Sequence, residues 1–122
     1  MIEDIQPEFE ARVLGQILCS RFALADADDL EVHDFHMPMH RAVLAAIREL
    51  QCRGEAVDVL AVIDEMEVAM LTRGTALRPC DASAAVLACC LMPTYAARQC
   101  FLADMRFLRK VAVSRREMAR AA

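Results

Sequence analysis

Residues 33–60, "HDFHMPMHRAVLAAIRELQCRGEAVDVL", decide the fold. Pro38 suits the first turn of a helix, where its missing N–H is not needed. Val43, Leu44, Ile47 and Leu50 then recur at the 3.6-residue period of a buried stripe. Gly54 stands where a chain leaves a helix through the left-handed region, and Asp58 can accept the free amides of the next helix. One complete helix and the start of another are therefore written into this segment.

The same stretch holds every histidine of the chain: His33, His36 and His40. His36 and His40 have the i, i+4 spacing of helical zinc ligands, but Pro38 lies between them. Proline keeps Met37 out of the helical region, so His36 precedes the helix and cannot share a face with His40. His40 falls on the apolar stripe, as a half-buried imidazole bonded to a neighbouring group would. With no C-x-x-C or H-E-x-x-H pattern present, the structural reading of these residues is preferred, and no metal or cofactor is expected.

Outward from this block, helical periodicity continues and strand alternation is nearly absent. Phe9, Val13, Ile17 and Leu18 mark a first helix with Pro7 just ahead of it, and a short segment lies near Leu24 to Leu30. Leu60, Ile63 and Met66 or Glu67 mark the face of a fourth helix. "TRGTALRPC" reads as a loop of about ten residues. Asp81 is placed to cap "DASAAVLACCLM", which the scarcity of polar atoms makes the most buried element; Pro93 ends it. Thr94 opens a long last helix with Phe101, Met105, Leu108 and Ala112 on one side. The expected fold is all-α, a single bundle of about six helices, with a helical head at 1–93 and a long C-terminal helix at 94–122.

A chain of 122 residues, 57% apolar with only three glycines and four prolines, has room for one core. The longest uncharged apolar run, Ala82 to Met92, is too short to span a bilayer. "MIEDIQPEFE" lacks the layout of a signal peptide, so a cytoplasmic location is expected. The six cysteines then read as reduced and mostly buried thiols. Cys89 and Cys90 point about 100° apart on a helix and do not pair.

Phosphate loops, dinucleotide fingerprints and nucleophile elbows are missing, and no enzymatic activity is expected. The acids Asp26, Asp28, Asp29, Glu31 and Asp34 lack EF-hand spacing and read as a solvated turn. Charge is unevenly spread: residues 1–70 hold 15 acids and 5 bases (15 − 5, net −10), and residues 71–122 hold 3 acids and 9 bases (9 − 3, net +6). Such asymmetry favours contact between the tail of one molecule and the body of another. Arg106, Arg109, Lys110, Arg115, Arg116 and Arg120 supply the basic end. One Tyr, no Trp and a net charge of −4 leave direct nucleic-acid binding weak or absent.

Three blocks, "EARVLGQIL" (10–18), "DFHMPMHRAVLAAIRELQCRGEAVDVLAVIDEM" (34–66) and "MPTYAARQCFLADMRFLRKVAVSRR" (92–116), together resemble the N-terminal domain of DnaB-type replicative DNA helicases. The residues that carry the likeness are Leu14-Gly15, Asp34-Phe35, His40-Arg41, Val43 to Ile47, Leu50, Gly54, Val57-Asp58 and Pro93. The resemblance implies a helical head followed by a helical hairpin, of which 94–122 would be the first arm. It implies pairing through hairpins into the collar of a hexameric ring, and contact with primase or a helicase loader. "LTRGTALRPC" departs from the family pattern, and nothing of the ATPase motor is present.

The expected function is thus a non-enzymatic interaction module of DNA replication that self-associates. Phe101, Met105 and Leu108 would bury against a partner helix while Arg106, Arg109, Lys110 and Arg116 set its register. A regulator that binds a host replicative helicase is the alternative within this class, and a Cys/His thiol or metal sensor the alternative outside it.

Overall fold

The computed structural model describes residues 2–73 and 78–121. Its elements are α1 (Ile2–Cys19), α2 (Arg21–Asp26), short 3-10 turns at Ala27–Asp29 and Val32–Asp34, α3 (Pro38–Cys52), α4 (Val59–Arg73), α5 (Pro79–Cys90) and α6 (Arg98–Ala121). Among the described residues there are six α-helices and no strand, as the periodicity predicts.

The third helix follows its sequence signals closely. Pro38 is its first residue, and Val43, Leu44, Ile47 and Leu50 are buried. Gly54 adopts φ +72°. Its N–H donates to the Gln51 carbonyl at 3.0 Å, and that of Glu55 to the Leu50 carbonyl at 2.9 Å. This is the double bond of a Schellman stop, which an L side chain at position 54 would strain. Asp58 then caps α4, accepting from the Ala61 N–H at 2.8 Å.

Elsewhere the packing partner, not the local signal, sets the boundary. Pro7 lies inside α1 rather than ahead of it. On α4 the buried residues are Val62, Met66 and Met70, while Leu60 is 74% exposed, so the inward face is turned from the expected one. Helix occupies both ends of the expected ten-residue loop, since α4 reaches Arg73 and α5 begins at Pro79; Gly74 lies outside the described residues. Arg78 is the N-cap of α5, and Asp81, three residues in, accepts from the Arg78 N–H at 3.3 Å.

Nor is α5 the most buried element. It buries Ala82, Val86 and Cys89, and exposes Leu87 and, just past its end, Leu91. The last helix starts at Arg98, not Thr94. The intervening chain is claimed by α1: Arg12 donates to the carbonyls of Pro93 and Thr94, and Gln16 accepts from the Tyr95 N–H. The Arg12 guanidinium also lies 4.1 Å from the Tyr95 ring centroid.

The core is shared by all six helices. Where α1 crosses α5, Gly15 is needed for a packing reason. A Cβ there would sit 2.1 Å from the Cys89 carbonyl oxygen, so only glycine lets the two backbones approach this closely.

Candidate protein-interaction surface

One polar cluster sets how α3 meets α1. Glu10 is fully buried and accepts four hydrogen bonds: from the His36 N–H at 2.7 Å, the Met37 N–H at 3.2 Å, Gln6 Nε2 at 3.0 Å and His40 Nδ1 at 2.9 Å. Burial alone would raise its carboxyl. The bonds from His40, His36 and Met37, with the charge of His40, outweigh burial and hold it below the usual carboxylate range. This carboxylate takes up the N–H of Met37, the N-cap of α3, and that of His36 just before it. Sequence reasoning missed Glu10, which sits one residue from Phe9 and looks like any solvent-facing acid.

The histidines therefore disperse. His40 turns inward to Glu10, His33 pairs with Glu31 at the surface, and His36 is exposed. Among the described residues, no three His, Cys, Asp or Glu side chains converge as a metal set. The acidic run is not simply solvated. Asp34 is buried and accepts from the Glu31 N–H at 2.9 Å. Asp26 makes a two-pronged pair with Arg98, at 2.8 and 2.7 Å. Nor are the cysteines mostly buried: Cys19, Cys52 and Cys100 are exposed, Cys90 is intermediate, and Cys89 is fully buried.

The remaining family-pattern residues are structural. Phe35 and Leu14 are fully buried, and Arg41 donates to the Phe35 carbonyl at 2.6 Å. Arg48, which the sequence did not single out, donates to the carbonyls of Ala27 and Leu30 and so closes the first 3-10 turn.

The last helix bears most directly on interaction. Phe101, Met105, Leu108 and Ala112 are all buried in the chain's own core. The stripe expected to dock a partner is already covered, because α6 lies back on α1, α2 and the second 3-10 turn. Tyr95 fixes the start of this packing, donating to Asp104 at 2.6 Å and meeting Phe101 edge to face. Burial and the bond to Asp104 push the Tyr95 phenol above its ordinary value.

What α6 offers outward is a different, basic face. Phe107 and Val113 are each 45% exposed. Phe107 meets Phe9 edge to face at 5.3 Å. Arg109, Lys110, Val113 and Ser114 line an open groove. Arg106 and Arg109 also border a hollow of about 150 Å³ with Asp26, Asp29 and Leu30. Arg116 turns back on the head, 4.0 Å from Asp34, and Arg115 reaches the His33 carbonyl at 3.5 Å. α4, which packs on α3 and α5, presents Leu60, Asp64, Val68 and Leu71 to solvent. No helix among the described residues is long and apolar enough to cross a membrane.

These features define a class: a small all-helical head closed by one long helix with an apolar inner and a basic outer face. The family model for the DnaB-like helicase N terminal domain matches residues 3–76. The chain belongs to that family. Among solved structures, it is similar to the N-terminal domain of DnaB helicase from Mycobacterium tuberculosis, at 27% identity and a TM-score of 0.69. The alignment covers 92% of this chain and 76% of that one. A search of curated protein sequences returns no match.

Proposed function

We propose that this replicative-helicase N-terminal-like module acts by docking, as a self-associating domain that also receives a replication protein such as primase or a helicase loader, and that it carries no enzymatic activity. The observation that carries the reading is the outward face of α6. Family membership supplies the context of replication, and charge asymmetry favours contact between copies. The basic face of α6, Arg106, Arg109 and Lys110 around Phe107 and Val113, can meet the exposed acids of the head, such as Asp58 and Asp64, beside the apolar α4 surface of Leu60, Val68 and Leu71. Clustered charges of opposite sign speed encounter and choose the register, while apolar contact holds the pair.

The test is sedimentation of the chain over a wide concentration range, with variants on each face. Association that Lys110→Glu or Val113→Asp weakens, and that rising salt weakens further, supports the reading. A strict monomer at every concentration, together with no retention of primase or a loader, removes it. Met105→Asp is not an interface probe, since that side chain is buried and its charge would unfold the head.

A further inference from the structure

Across α2 and the 3-10 turn that follows it, Ala23, Ala27 and Leu30 are buried, while Arg21, Phe22, Ala25, Asp28 and Asp29 face solvent. Phe22 is 82% exposed, an aromatic ring used neither by the core nor by the outer face of α6. Beside the same segment lies the hollow of about 150 Å³ walled by Leu30, Leu102 and Met105, with the exposed Arg106 and Arg109 in its lining. The outward residues are ordered along the helix axis. A cation and a ring stand at the start, the small Ala25 in the middle, and two acids at the end. Arg21 and Asp28 are seven residues apart, as are Phe22 and Asp29, so each pair recurs after about two turns on one side. Phe22 and Asp29 both lie towards α6: Phe22 lines a hollow with Arg98 and Phe101, and Asp29 one with Leu102 and Met105. Turned end for end, this face matches itself.

We propose that the outward face of α2 and its 3-10 turn pairs with the same face of a second copy, about a two-fold axis beside Ala25. The contact rests on the self-association proposed above only in requiring that copies meet, and it adds a surface that α6 docking does not use. Such an axis runs the two helices antiparallel and sets Arg21 of each copy against the partner's Asp28. It also carries each Phe22 over the partner's Asp29 and into the adjoining hollow, where the partner's Arg106 and Arg109 can lie against the ring. Ala25 at the crossing lets the two helices approach closely. Every contact is made twice, as an isologous interface requires. A phenylalanine buries about 150–250 Å², so two of them with flanking ion pairs make a contact at the lower end of specific interfaces. The dimer is therefore weak and forms at high concentration.

Sedimentation equilibrium of the chain, from micromolar to millimolar concentration, reads this pairing. The expected result is a monomer–dimer equilibrium whose association constant Phe22→Asp lowers by at least about tenfold. The same variant should keep the melting temperature of the native chain, because the ring is exposed. Arg21→Asp and Asp28→Arg should each weaken association alone. An equimolar mixture of those two variants should restore it, since in the mixed pair both charge contacts are again of opposite sign. A strict monomer at every concentration, a dimer that Phe22→Asp leaves unchanged, or a mixture no better than its components would each overturn the proposal. Association that Lys110→Glu weakens and Phe22→Asp does not would overturn this face and leave the α6 reading standing.

Discussion

The carboxylate of Glu10 shows how much one side chain can organise. It gathers two backbone amides and an imidazole from the start of α3, so removing it leaves buried donors without an acceptor. Glu10→Ala should cost about 3 kcal/mol in urea unfolding, by the usual penalty for breaking a buried charged network. The folded carboxyl titrates below its ordinary value of 4.5. Its contribution is therefore fully present above the ordinary range and lost as pH falls through the lowered folded value. The gap in melting temperature between the native chain and Glu10→Gln should accordingly shrink under acid, which thermal scans read directly. Gly15 is the second sensitive residue. Gly15→Ala should destabilise by about 2–3 kcal/mol, because backbone must move to admit the methyl group. A fall of under half a kcal/mol would mean that α1 and α5 slide apart freely.

At the scale of elements, local chemistry was legible and packing direction only partly so. Pro38, Gly54 and Asp58 state their roles in their own covalent structure, and α3 could be bounded from them. Leu60 could not be placed, because a helix as apolar as α4 carries several possible stripes and only its neighbours choose one. The α6 stripe was legible as buried, but periodicity says nothing of whether the cover is the same chain or another. Glu10 was invisible for a related reason: three of its four donors lie 26 or more residues away. The two faces of α6 now predict different behaviour. Leu108→Ala, on the inner face, should lose about 3 kcal/mol of stability. Lys110→Glu, on the outer face, should alter stability by under ~0.5 kcal/mol while changing association. Equal stability losses in the two variants would show that the outer face is packed as well.

For the whole molecule, the resemblance read from three short blocks named a fold that the structure and the family match bear out. The surface is where that reading reached least far. The charge division along the sequence survives folding as an exposed basic face on α6 and exposed acids on the head, among them Asp28, Asp29, Glu31, Asp58 and Asp64. Self-association by those faces should fall steeply between low and physiological salt, whereas an apolar interface would hold or strengthen.

The placement of α6 has one mechanical consequence. Its buried residues end at Ala112, while the helix continues to Ala121. Arg115 and Arg116 still touch the head through His33 and Asp34, so the five residues after them extend roughly 8 Å beyond the last contact at 1.5 Å per residue. Such an overhang is a lever whose fulcrum lies in the head. A tilt of about 5° where Phe101, Met105 and Leu108 grip the core would carry the tip by roughly 0.7 Å over that length. Substitutions at the Tyr95–Asp104 and Asp26–Arg98 latches would thus steer a surface they never touch.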